Sequence, residues 1–299
     1  MKTEKAVKTE KTVLRSSLDI LATATATHGT GRSGDIPLPR LSGFVESSFS
    51  PLAYEVSRQC LTERPGDDPD GSDGSRTAVA LASLMGDTTT ADLASRRMVS
   101  GRVHNPLLFM QATANSVLGY VSREFGITGQ MFSLSTLDDP VTELLAMAEL
   151  LLEDPGLDRV LVLGVELTGM GAPPAEGQGR VAAAYRELAA ETGRPVPTPS
   201  LPSPLPPSAG LAVAVLLGRT GAGAPVSIRS TQENNADSTG TPGHPGSIQS
   251  MFDLAAAHQR LLRDGGSHLL VTDPAARRGS TAFTLTTNTR NETENHAHQ

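Results

Sequence analysis

The sequence predicts an α/β protein built in layers, and three observations carry that expectation. Short, nearly all-apolar runs alternate with amphipathic helical stretches. The links between them in the central region are short, as in strand–helix–strand units. The polar and proline-rich residues are gathered into separate blocks rather than spread through the core elements. At ~100–200 residues per domain, 299 residues make one large domain or two small ones.

Residues 1–15, with Lys2, Lys5, Lys8 and Lys11 at every third position, read as a disordered, solvated tail. Leu18–Thr27 is rich in β-branched and small residues and predicts a first strand. Phe49–Leu61 has a helical pattern, followed by an acidic Gly/Asp/Ser loop at Gly66–Ser75. Thr77–Leu84 predicts a second strand, ending in Met85-Gly86-Asp87. The densest stretch then reads helix (Leu107–Phe125), turn (Gly126–Gly129), strand (Met131–Ser135), helix (Pro140–Glu153) and strand (Arg159–Leu167). In the second of these helices Leu144, Leu145, Ala148, Leu151 and Leu152 recur at the spacing of one helical face. Asp139 supplies an N-cap carboxylate and Pro140 stands where no N–H is needed. Asp154-Pro155-Gly156 stops the helix, and the apolar run Val160–Val165 predicts a strand covered on both faces.

Residues 170–208 break the pattern. Val181–Glu191 suits a short helix, but Pro195–Pro207 holds seven prolines and predicts a stiff, extended insertion. Gly210–Leu217 is another buried strand, and Val226–Ser230 a short one inside a Gly/Pro/Ser/Thr-rich region. Ile248–Arg263 is a helix with an Ala-rich face, in which His258 reads as a partly exposed residue. Leu269–Thr272 and Ala282–Thr287 are the last strands, and residues 288–299 a second polar tail. The expected organisation is a single domain over 16–287, with an N-terminal half to about 217 and a shorter C-terminal half over 218–287.

Composition excludes several functions. A net charge of −7 repels nucleic acid phosphates. The absence of Trp and 3% aromatics leave no platform for stacking bases or sugars. One cysteine, Cys60, rules out a disulfide framework or a Cys-based zinc site, and the histidines show no ligand spacing, so no metal is expected. No run of 18 apolar residues and no apolar leader are present, so the expectation is a cytoplasmic protein without membrane contact. Gly29-Thr30-Gly31-Arg32-Ser33-Gly34 matches the dinucleotide fingerprint, but Ile36-Pro37-Leu38-Pro39 follows where a helix must begin. No cofactor is expected.

Pro106-Leu107-Leu108-Phe109, Ala114-Asn115-Ser116-Val117-Leu118-Gly119-Tyr120, Gly126-Ile127-Thr128-Gly129 and Val160-Leu161-Val162-Leu163-Gly164-Val165-Glu166 occur in this order. They resemble the N-terminal half of β-ketoacyl synthases, the thiolase-fold condensing enzymes of fatty-acid and polyketide assembly. Arg76-Thr77-Ala78-Val79 with Met85-Gly86 fits the preceding strand, and Gly243-His244 with Leu269-Leu270-Val271-Thr272 and Arg278–Phe283 is similar to the family's closing elements. The resemblance implies a thiolase-like, layered αβαβα fold with a shortened C-terminal half.

It also implies what the chemistry needs. A condensing enzyme places a cysteine at the N-terminus of a buried helix, where the helix dipole favours the thiolate and the amides hold the oxyanion. Counted from Gly129, that position falls near Asp138. A carboxylate there is stabilised as an anion and is a poor nucleophile. Asp237-Ser238-Thr239-Gly240-Thr241-Pro242 resembles the family's first histidine loop with aspartate in place of histidine, and His244 stands as a remnant of the second.

A condensing fold without its nucleophile resembles a chain length factor, the non-catalytic ketosynthase partner of type II polyketide systems. The short form is most similar to those of polyene-forming, highly reducing pathways. The resemblance implies a heterodimer with a ketosynthase, whose interface covers apolar surface left by truncation. It also implies a shared acyl tunnel whose floor limits how many ~0.8 kcal/mol methylene contacts form. Met110, Thr113, Ala114 and Val117, on one face of the Leu107–Phe125 helix, are the candidates for that floor. An acyl carrier protein, acidic like this chain, is expected to dock mainly on the ketosynthase, with Arg96, Arg97 and Arg102 as a local basic rim. Two rivals stay open: a divergent acyltransferase or thioesterase-like enzyme using Asp138 or His244, and a stand-alone acyl-binding scaffold.

Overall fold

A computed structural model of the chain describes residues 13–44, 47–62, 72–101, 107–135, 139–167, 209–231, 247–272 and 281–288. The predicted insertion over 170–208 and both tails fall outside these residues, apart from 13–15 and 288 at their inner ends. Among the described residues the strands are β1 (Leu18–His28), β2 (Thr77–Ala82), β3 (Met131–Leu134), β4 (Arg159–Leu167), β5 (Gly210–Arg219), β6 (Val226–Thr231), β7 (Ser267–Val271) and β8 (Ala282–Thr287). The helices are α1 (Phe49–Thr62), α2 (Thr88–Val99), α3 (Leu107–Gln111), α4 (Ala114–Glu124), α5 (Pro140–Leu151) and α6 (Gln249–Asp264).

The strands run in the order β3-β2-β4-β5-β1-β6-β8-β7. β2 pairs in parallel with β3 on one side and β4 on the other, so the segment β3–α5–β4 is the predicted crossover, passing over β2. β5 is antiparallel to both β4 and β1. Only Leu18–Ile20 of β1 pair with β6, and a bulge at Leu21 follows, where the strand bends. This short seam joins a five-stranded half to a three-stranded one.

Strand alternation sorts the core into two layers. On one side of the five-stranded half, Val79, Leu81, Leu161, Leu163 and Val165 meet Val56 and Cys60 of α1 and Val117, Leu118 and Val121 of α4. On the other side, Ala78, Ala80, Val160 and Val162 meet α5 through Val141, Leu144 and Leu145. α6 joins this second layer through Met251, Leu254 and Leu261, which also touch the three-stranded half, where Phe283, Leu285 and Ile228 point inward. Each fully buried Leu or Val contributes roughly 1.5–3 kcal/mol. The result is α1/α4, sheet, α5/α6, sheet, with the second sheet two strands narrower than the first.

The outward face of that narrow half explains how it stands without a further helix among the described residues. Its rows are Ser227–Thr286–Ser267, Arg229–Thr284–Leu269 and Thr231–Ala282–Val271. Hydroxyls pair across the strands, Ser227 with Thr286 at 3.3 Å and Thr231 with Thr284. The face is hydroxyl-rich, so among the described residues it presents little apolar surface.

Two expectations are corrected and one helix is added. The helix read over Leu107–Phe125 is two helices, α3 and α4. α2 was not foreseen, because Thr88, Thr89 and Thr90 open it with weak helix formers; Asp87 caps it, accepting from the Thr90 amide at 3.0 Å and its hydroxyl at 2.7 Å. His258 is buried at 2% exposure between α6 and β1 rather than partly exposed.

Candidate functional site

Leu134, Ala82 and Gly164 form one row across β3, β2 and β4 near the carboxyl ends of these parallel strands. α5 opens beyond Leu134. α6 opens over Gly164, where a Cβ would meet Met251 Sδ at 2.6 Å and Ile248 Cγ2 at 3.0 Å. Two helices thus start at the same end of the sheet, the end at which open α/β sheets place their sites.

The entrance to α5 is tightly held. The Ser83 amide donates to the Leu134 carbonyl (3.1 Å) and the Ser135 hydroxyl to the Leu84 carbonyl (2.7 Å), tying β2 to β3. Asp139 is the N-cap with extended backbone, accepting from the Thr142 amide (2.9 Å) and hydroxyl (2.8 Å), and Pro140 follows, as the sequence predicts. Asp139 therefore has a structural role that fixes its carboxylate. Asp138, Asp237 and His244 lie outside the described residues.

The far end of α5 is equally anchored. Glu149 is buried and accepts from the amides of Arg15 (2.9 Å) and Ser16 (2.7 Å) and from the Ser16 hydroxyl (2.9 Å). Burial raises its pKa, but these hydrogen bonds outweigh it and hold the carboxyl below its ordinary value. The Arg219 guanidinium donates to the Leu152 (2.7 Å) and Asp154 (2.6 Å) carbonyls, placing a cation at the helix C-terminus. An open hollow of about 380 Å³ lies here; Glu149 and Arg219 in its lining are engaged in these bonds, and the Arg15 guanidinium pairs with Glu153 at 2.9 Å.

Cys60 is 1% exposed and belongs to the α1 layer, whereas α5 belongs to the layer on the opposite side of the sheet. The tunnel candidates separate as well. Met110 is 64% exposed on α3 and Thr113 is the exposed N-cap of α4, while Ala114 is half-buried and Val117 fully buried in this chain's own core. The four do not share one helical face, because the helix breaks between them. Leu107 (53%) and Phe109 (38%) join Met110 as exposed apolar residues on α3, and Met98 and Val99 stand at the end of α2, which packs on α3. β3, packed on by α4, is an edge strand. The Val79 amide takes the Gln130 carbonyl and the Ser83 amide that of Leu134, so the backbone of Met131 and Ser133 faces away from the sheet.

Arg96 and Arg97 lie in the last turn of α2, where cations suit the helix dipole; Arg102 is outside the described residues. The glycine-rich turn after β1 is organised by Asp35, which accepts from Thr30 (2.6 Å), Thr27 (2.8 Å) and the Gly31 amide (2.8 Å), and no helix opens there. Among the described residues no cluster suits a metal, and no helix is long and apolar enough to cross a membrane.

No family model matches the chain, and no curated protein matches it in sequence. Solved structures do. The ishigamide ketosynthase/chain length factor aligns over 83% of this chain and 82% of its own, with TM-score 0.53 and 15% identity. A β-ketoacyl synthase from Burkholderia phymatum aligns over 87% of each chain, with TM-score 0.51 and 12% identity. A ketosynthase in complex with its chain length factor from Xenorhabdus doucetiae aligns over 90% of this chain and 98% of that one, with TM-score 0.49 and 15% identity. The fold is thiolase-like, similar to that of these ketosynthase-type chains.

Proposed function

We propose that this chain is a chain length factor: a non-catalytic subunit that pairs with a ketosynthase and completes the tunnel into which that subunit's acyl chain grows. The product class is a type II polyketide of the highly reduced, polyene kind. The observation that carries the reading is the position of the one thiol. The only cysteine lies behind the sheet from α5, and the entrance to α5 is occupied by a carboxylate engaged in capping. A thiolate held by the amides of that helix has no residue to come from. The similarity in fold to a ketosynthase/chain length factor supports the pairing.

The partner would cover α3 and the edge of β3. Leu107, Phe109 and Met110 present apolar surface on α3, and the outer edge of β3 is unpaired among the described residues; both are features that an obligate interface buries. Met110 and Thr113 then face the shared tunnel, with Ala114 and Val117 as the packing behind them. The acyl carrier protein docks mainly on the ketosynthase, since carrier and this chain are both acidic.

The deciding experiment is incubation of the pure chain with a labelled acyl thioester. No covalent label is expected on this chain, and the ketosynthase should be labelled when both are present. Label on the isolated chain, lost in Asp138→Asn or His244→Ala, would favour the acyltransferase reading instead. Thr113→Phe in the reconstituted pair should shorten the product by at least one two-carbon unit, read by mass spectrometry. An unchanged product distribution would remove Thr113 from the tunnel.

A further inference from the structure

In an unbroken helix through residues 107–124, the Met110 carbonyl would accept the Ala114 amide four residues on. Here it accepts three other donors: the Thr113 amide at 3.2 Å, the Thr113 hydroxyl at 2.8 Å and the Ser116 hydroxyl. The two hydroxyl oxygens lie 2.9 Å apart, neighbours on one carbonyl: each has a single proton, and both are given to Met110. Thr113 is the N-cap of α4, where a threonine ordinarily accepts from an amide of its own helix; its side chain makes no such bond and turns back to α3. Hydroxyls that compete for backbone carbonyls are a recognised way to interrupt a helix. Core packing does not account for the cluster, because its hydrogen bonds are exposed, while Val117, Leu118 and Val121 bury α4 on the other side.

We infer that Thr113 and Ser116 form a positioning pair: their hydroxyls end α3 at Gln111 and set how far Met110 projects from this chain toward its partner. The inference rests on the tunnel reading given above and adds Ser116, which no apolar pattern singles out. Both residues act through Met110. A continuous helix would rotate Met110 relative to Val117 onto a face fixed by helical spacing. The hydroxyl pair uncouples the two, so the outer residue can be aimed independently of the buried one.

The test is the double variant Thr113→Val/Ser116→Ala, which removes both hydroxyls at nearly constant volume. In hydrogen exchange of the full chain, the Ala114 and Asn115 amides should become at least tenfold slower, as they gain the Met110 and Gln111 carbonyls. In the complex with the ketosynthase from the same genomic neighbourhood, the product should shift by at least one two-carbon unit. Ser116→Thr, which keeps a hydroxyl, should retain the parent behaviour in both measurements. A product shift with unchanged exchange would overturn the positioning role, since the side chains would then act by contact. Slower exchange with an unchanged product would overturn the link to projection into the tunnel. Failure of the unaltered chain to form any complex would sink the tunnel reading and that link with it, and exchange would still decide whether the hydroxyls break the helix.

Discussion

Gly129→Ala should destabilise the chain by roughly 3 kcal/mol or more, at the upper end of what overpacking does. A Cβ at this position would stand 2.4 Å from the Thr77 carbonyl oxygen and 2.9 Å from Leu157 Cδ2. The first of these is backbone, and it is the same oxygen to which the Gly129 amide donates at 3.2 Å. Relief therefore requires either the loss of that bond or displacement of β2 at its first residue. Both disturb the β2–β3 pairing that positions the entrance to α5. Gly119→Ala provides the contrast: it is an exposed helical position with no atom within 4 Å of the new Cβ, so the same change should stabilise by about 0.5–1 kcal/mol. Urea unfolding of both variants checks the pair. A loss under 1 kcal/mol at Gly129 would mean that β2 yields easily, contrary to its fully buried core.

Acidification from pH 7 to pH 4 should remove roughly 3 kcal/mol of stability through His258 alone. Its Nδ1 lies 2.9 Å from the Thr23 hydroxyl, which also accepts from Gln259 Nε2 at 3.1 Å, and its Nε2 is buried with no hydrogen-bond partner. Burial lowers its pKa from 6.5 to about 4, a little offset by the Ile20 backbone. The unfolded chain takes up its proton near 6.5 and the folded chain only near 4. Between these values the unfolded state binds more protons, so stability falls as the pH falls, and the loss levels off below about 4. At ~1.4 kcal/mol per pH unit the window amounts to the figure above. Glu149 acts in a different range: its lowered carboxyl pKa places its loss below the ordinary 4.5. Denaturant midpoints from pH 7 to pH 4 test this, with His258→Gln as the variant that should flatten the slope. An identical slope in that variant would assign the acid sensitivity elsewhere.

Local signals in the sequence located most of the elements and, of their relations, the crossover through α5. β4 and β8 were legible to the residue, because an apolar run bounded by turn residues leaves little freedom. The start of α5 was legible because a carboxylate cap and a proline mark it chemically. The break between α3 and α4 was not, since apolar spacing continues across it and the cause is competition by two hydroxyls for one carbonyl. The run Thr113–Ser116 was the available signal. The burial of His258 depends on β1, 235 positions away, and no helical pattern carries that contact. The candidate site was legible in its lack of a cysteine thiol, since the one cysteine falls in a different element. Its division into outward Met110 and Thr113 and inward Ala114 and Val117 required the fold.

Because the chain's single thiol is sealed on the buried face of α1, it doubles as an internal gauge of opening. A maleimide reagent can reach it only when that layer lifts away, so the speed of alkylation in plain buffer reports how often the molecule breathes. A chemist seeking to block catalysis with a thiol reagent would instead be timing this protein's departures from its native state.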